Sequence, residues 1–99
     1  MKVIQIVPRN KIKERLKTLL NAKEREIRNR STFIRKGTGR WGHKKHNGWI
    51  NWKESLGGII IAEVQSKIEE SEWQLLIAYI SYLDRHFSDK IESINISFR

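Results

Sequence analysis

From Arg35 to Trp49 the chain reads RKGTGRWGHKKHNGW, with cations, aromatics and glycines interleaved. Lys and Arg neutralise phosphates and release condensed counterions, which gives affinity that does not depend on base sequence. An exposed indole offers a nucleobase a face to stack on, worth about 1–3 kcal/mol per base. Glycine lets a backbone approach a phosphate chain closely. These residue types point to a polyanion. Arg35, Lys36, Arg40, Lys44 and Lys45 are the expected phosphate contacts, with His43 among them, and Trp41 and Trp49 are the expected stacking platforms. The bland alternative is a solvated hairpin whose two tryptophans fold back onto the sheet.

Two other groups have types suited to chemistry. His43 and His46 are three residues apart, and His86 lies far along the chain. Three histidines can hold a zinc ion, but the flanking lysines already oppose a dication, so solvated or phosphate-contacting histidines are expected and no metal. Glu63-Val64-Gln65-Ser66-Lys67 puts Glu63, Gln65 and Lys67 on one side of a strand. Nucleases of the PD-(D/E)XK type carry an acidic residue and a lysine on such a strand, where carboxylates hold Mg²⁺ beside the scissile phosphate. The present run is similar over five residues only. Gln65 stands in the usual lysine place, and no Asp precedes Asp84. A structural ion pair for Glu63 is the simpler expectation. GTGR is too short for a GxxxxGK[ST] phosphate loop, and no cofactor is implied.

Length and charge bound the rest. Ninety-nine residues suit one domain, here 1–99, with the basic segment at about 37–49 as a loop or hairpin within it. The net charge of +9 is unevenly placed: residues 9–46 carry 14 Lys/Arg and 3 Glu, residues 47–99 carry 5 Lys/Arg and 8 acids. Such a basic half either stays solvated or meets an anionic partner. There is no cysteine, which removes disulfides and thiol chemistry and suits a reducing compartment. Pro8 and Arg9 interrupt the apolar start too early for a secretory signal, and no apolar run approaches the ~20 residues of a membrane span. A cytoplasmic protein away from membranes is expected.

Periodicity supplies the elements. Residues 2–7 (KVIQIV) alternate as a strand that Pro8 ends. Asn10 suits a helix cap, and Ile12, Leu16, Leu19, Leu20 and Ile27 form a helical stripe reaching about Asn29. Glu24 with Arg28 and Glu26 with Arg30 are favourable i,i+4 pairs. Residues 31–36 read as a strand, 37–48 as a glycine-rich loop or hairpin tip, and 49–52 as a short strand. Ile59 to Val64 is apolar on both faces, as a central strand is. Ser71 to Gln74 reads as a capping box for a helix reaching Phe87 with Trp73, Leu76, Ile80, Leu83 and Phe87 on its stripe and Leu75, Tyr79 and Tyr82 widening it. The last strand places Ile94, Ile96 and Phe98 on one face and Ser93, Asn95 and Ser97 on the other.

The order β-α-β-(β)-β-α-β is simplest as an α+β two-layer sandwich: an antiparallel sheet with two helices on one face, the split βαβ or ferredoxin-like arrangement. The expected function is nucleic-acid binding without catalysis, by the first helix and the 35–49 segment. The alternatives are a small metal-dependent or histidine-assisted nuclease and a protein-interaction module. An uncovered sheet face or edge beside Ser93, Asn95 and Ser97 leaves room for a homodimer through the sheet.

Overall fold

The computed structural model describes residues 1–99. Its strands are β1 (Lys2–Pro8), β2 (Phe33–Gly37), β3 (Arg40–His43), β4 (Trp49–Glu54), β5 (Ile60–Gln65) and β6 (Ile91–Phe98), and its helices are α1 (Leu16–Ile27) and α2 (Glu69–Phe87). The strands form one six-stranded antiparallel sheet in the order β2-β3-β4-β5-β1-β6. The fold is α+β. No helix is long and apolar enough to cross a membrane.

Alternation along the strands divides the sheet into two faces. Ile4 and Ile6 of β1, Ile60, Ala62 and Val64 of β5, Ile50 and Trp52 of β4, and Trp41 of β3 are buried. They join the buried side chains of both helices, Leu16 and Leu20 among them and Leu75, Leu76, Tyr79 and Leu83, in one 19-residue core. The residues between them on the strands, such as Val3, Gln5, Asn51, Lys53, Ile61 and Glu63, are half-buried or exposed. β5 lies between β4 and β1, so both its edges are paired, while its outer face carries the half-buried Ile61 and Glu63.

Both helices differ from their sequence expectation at the N-terminus. α1 begins at Leu16 behind Arg15, without a side-chain cap, and Asn10 lies in an irregular segment. α2 begins at Glu69 behind Ile68, so Ser71 is inside the helix rather than capping it. The competing interaction is visible. Glu72 is buried, where its carboxylate accepts from Lys2 Nζ at 2.8 Å and from the Ser66 N–H at 3.3 Å and lies 3.3 Å from the terminal amine of Met1. This cluster pins the chain start and the β5–α2 turn to the same carboxylate. In α1 the Glu24–Arg28 pair forms with two hydrogen bonds, whereas Glu26 pairs with Lys23 instead of Arg30.

The buried face of α2 keeps most of the expected stripe and loses its first residue, Trp73, while Ile80 is only partly buried. Leu75, Tyr79 and Tyr82 are buried beside Leu76, Leu83 and Phe87, while Trp73 is 44% exposed. Trp73 heads a periodic run, but the sheet lies to its other side.

Candidate nucleic-acid interface

Two glycines shape the segment that carries the candidate site. Gly39 has φ +65° in the tight β2–β3 turn, and a Cβ there would run into the Trp52 carbonyl oxygen. The Gly39 carbonyl accepts the Trp52 N–H at 2.7 Å, which holds the hairpin tip on β4. Gly48 has φ +125°, and a Cβ there would meet the Gln65 carbonyl oxygen. These glycines therefore serve close approach of the backbone to itself. The stretch expected as a loop or hairpin tip is a hairpin that contains an additional strand, β3.

Trp41 corrects the expected roles. It is 1% exposed in the core, edge-on to Trp52 at 6.0 Å, Tyr79 at 6.0 Å and Tyr82 at 5.6 Å. It cannot stack on a base. The buried Trp41 and Trp52 indole N–H groups and the Tyr79 hydroxyl have no hydrogen-bond acceptor. Their near-perpendicular rings suit weak N–H···π contacts instead. Burial pushes the Tyr79 hydroxyl far above its ordinary pKa, so it stays protonated.

The remaining candidates divide between two sides of the sheet. Lys36, Arg40 and Trp49 lie on the face away from the core. The Lys36 side chain lies against Gly42, where a Cβ would crowd its Cε. The Arg40 guanidinium sits over the half-buried Trp49 ring, 5.5 Å from its centroid. The same face continues along paired positions, Arg40 opposite Asn51, Asn51 opposite Glu63, and Glu63 opposite Val3. There Lys53 and Arg99 border a shallow hollow of about 250 Å³ that also contains Asn51 and Glu63. Sequence reasoning passed over Lys53 and Arg99. The period-2 run Trp49-Asn51-Lys53 was the available signal for Lys53, but nothing in the sequence pairs it with Arg99.

Arg35 is opposite Trp41 and so on the α1 side, where its charge is one of those holding Glu24 below the usual carboxylate range. The larger influence on Glu24 is its hydrogen bond from Arg28. Lys44 and Lys45 are exposed in the loop after β3, and the Lys44 N–H donates to the Thr32 carbonyl at 2.9 Å. None of Arg35, Lys36, Arg40, Lys44 and Lys45 has an acidic partner within 4.0 Å. By contrast Arg15, Lys23 and Arg28 pair with Glu54, Glu26 and Glu24. The free positive charge is thus densest on the hairpin, and less of it remains on α1 than its composition suggests.

His43 and His46 do come together, with rings stacked at 4.6 Å. His43 Nδ1 accepts the Lys45 N–H at 3.0 Å, and its ring stands edge-on to Phe33. Burial first, then His46 and Lys45, hold its pKa below the ordinary histidine value. His86 is lowered too, by burial and then by Lys23 and Arg85, so it is less of a helix-terminal cation than its place implies. No three His, Asp or Glu side chains gather in a group able to hold a metal ion. Glu63 makes no ion pair, contrary to expectation, and nothing brings Lys67 to it. Of the two nuclease alternatives, the Glu63–Lys67 pair is not assembled, whereas the His43–His46 pair is.

Comparison with known proteins found no match: no family model, no curated protein and no solved structure is significantly similar to the chain.

Proposed function

We propose that this protein binds single-stranded nucleic acid on the open face of its sheet and performs no chemistry on it. The observation that carries the reading is the Arg40–Trp49 pair: a guanidinium over a half-buried indole, with Lys36 beside it and Lys53 and Arg99 further along the same face. Unstacked bases need an aromatic or guanidinium plane to lie on, and their phosphates need cations within reach. Asn51, Gln65 and Gln5, on the same face, offer amides for base edges. A duplex hides its base faces, so the stacking half of this surface favours single strands.

The fold supports the reading. We read the subset β6-β1-β5-β4 as the split βαβ, ferredoxin-like sandwich, with both helices on one side and β2–β3 as an added hairpin. That arrangement leaves a sheet face free for a strand of nucleic acid. A cysteine-free basic chain of this kind suits the cytoplasm.

The test is a salt-titrated binding series against single- and double-stranded DNA and RNA. We expect log affinity for single strands to fall linearly with log salt, by roughly 0.7 per phosphate neutralised. Arg40→Ala and Lys36→Ala should each flatten that slope, and Trp49→Ala should cost about 1–3 kcal/mol of binding. Binding indifferent to salt, or unchanged in Trp49→Ala, overturns the reading. In that event the protein-interaction alternative, with an acidic protein on the basic side, takes its place.

A further inference from the structure

The two edges of the sheet are treated differently. β2 is five residues long, carries Arg35 and Lys36, and breaks register between Arg35 and Gly37. Charge, shortness and irregularity are the usual protections of an exposed edge against pairing. β6 confines its one charge, Glu92, and its one irregularity, opposite Val7 and Pro8, to its first residues. It runs eight residues, is uncharged from Ser93 to Phe98, and follows β1 in unbroken register over that stretch.

The direction of its free peptide groups can be worked out. The Met1 amine donates to the Arg99 carbonyl at 3.0 Å, and the Arg99 N–H donates to the Met1 carbonyl at 2.8 Å. This reciprocal exchange marks Met1 and Arg99 as a hydrogen-bonded antiparallel pair, in register with Lys2 opposite Phe98. Odd-numbered residues of β6 therefore bond inward to β1. Ile94, Ile96 and Phe98 turn their N–H and C=O groups out to the open edge.

The same three residues lie on the core side of the sheet, opposite Ile6, Ile4 and Lys2. The core ends before it covers them. Ile96 is 38% and Phe98 67% exposed, and across from them on α2 Trp73 is 44% and Ile77 47% exposed. Trp73 and Phe98 approach to 6.1 Å between ring centroids. A buried aromatic accounts for 150–250 Å², so Trp73 and Phe98 each leave on the order of 100 Å² uncovered. With the two isoleucines the patch reaches on the order of 400 Å² per chain, in the range of the largest apolar patch of a typical monomer, which is often functional.

We infer that β6 is a homodimer interface, pairing antiparallel with β6 of a second copy to make a continuous twelve-stranded sheet. A two-fold axis through this edge sets outward-bonding residues against outward-bonding residues, and Ile94, Ile96 and Phe98 against the same side chains of the other copy. The two α2 flanks then close over them with Trp73 and Ile77. Two patches bring on the order of 800 Å² of apolar area, close to the apolar share of a standard interface of about 1,600 Å². Charge favours a second copy as well. The edge itself is neutral, while the basic hairpin sits five strand spacings away, about 24 Å, so joining the copies there keeps their positive ends apart. The inference holds whether or not the open face binds nucleic acid.

Sedimentation velocity on the full chain tests it, with a dimer expected at micromolar concentration. Phe98→Lys alters an exposed side chain, and Ile96→Pro removes an outward donor without breaking a bond to β1. Each should raise the dissociation constant at least about tenfold, with unchanged far-UV circular dichroism for Phe98→Lys. The chain lacks cysteine, so a nitroxide on Asn95→Cys reports the geometry. Inter-label distances of roughly 10–20 Å, a few strand spacings, are expected, against about 50 Å for the same label on Lys36→Cys. A wild-type chain that stays monomeric up to roughly 100 µM overturns the inference. So does a dimer that Phe98→Lys leaves intact, or one whose Asn95 labels lie far apart.

Discussion

Replacing Trp41 with alanine should weaken the fold rather than the proposed binding surface. The side chain is 1% exposed and lies among Phe33, Trp52, Tyr79 and Tyr82, with ring centroids 5.6–6.0 Å away. Loss of a buried Trp or Phe to Ala costs about 3–5 kcal/mol, depending on how far the site collapses. Here collapse is resisted. Trp41 projects from β3, which is held by β2 on one side and β4 on the other, and the rings around it are themselves fixed by packing. The upper part of the range, about 4–5 kcal/mol, is therefore expected. A domain of this length has about 5–15 kcal/mol in all, at roughly 0.05–0.15 per residue. The variant should fold with little margin.

Urea titration followed by far-UV circular dichroism measures this directly, since four tryptophans would confuse a fluorescence signal. With m of about 1–3 kcal/mol/M, the midpoint should fall by about 1.3–5 M at unchanged m. Trp49→Ala is the matched control: the same residue type, on the next strand, half-buried on the open face. It should lose less than about 1.5 kcal/mol, in the range of ordinary surface and boundary substitutions. A Trp41→Ala loss below about 1 kcal/mol, or one no larger than that of Trp49→Ala, would refute the packing argument.

Gly39→Ala should destabilise by about 2 kcal/mol or more, because it adds positive-φ strain to a clash with the Trp52 carbonyl. Hydrogen exchange at the Trp52 amide reads it, and protection equal to wild type would contradict it. Acid should weaken the fold in two windows. His43 and His86 have folded-state pKa values below the unfolded one, so stability drops as pH falls below about 6.5. Glu24 and Glu72 are also lowered: Glu24 chiefly by its Arg28 hydrogen bond, Glu72 by Lys2 and the terminal amine overcoming burial. Their contribution is complete above about 4.5 and is lost as pH falls through the folded values. Glu72→Gln should lower stability at pH 7 and flatten the lower window in a series of pH-dependent melts. An unchanged slope there would show that the Lys2–Glu72 contact is not formed in solution.

Patterns that depend on one element were legible in the sequence. The alternation of β1 and β6, the central β5 and the end of α2 at Phe87 all follow from period and breaker residues. Contacts between distant elements were not. Nothing in the neighbourhood of Glu72 says that Lys2 and the chain terminus will meet it, and that meeting starts α2 ahead of the apparent capping box. The exchanged roles of Trp41 and Trp73 have the same cause. Trp41 stands among glycines and cations, where no apolar period marks it as core, yet one added strand carries it under α2. Trp73 stands in a periodic helix, yet the period of a helix does not say where the sheet ends.

Where the sheet ends governs the character of this surface. Six strands are wider than the cover that two helices supply, so one margin of the core-side face is left bare. At the β2 margin Phe33 is covered by His43 and Tyr82, and the outward positions are cationic. At the β6 margin the uncovered positions remain Ile96 and Phe98, against Trp73 and Ile77. A chain with 20 Lys and Arg had basic residues to spare for that edge and carries none from Ser93 to Phe98. Charge in one place and its absence in the other divide the molecule into a cationic end, the proposed polyanion surface, and a neutral apolar end, the inferred contact between copies. Substituting lysine at Phe98 removes that division, and by the same physics should turn the second end into a protected edge like the first.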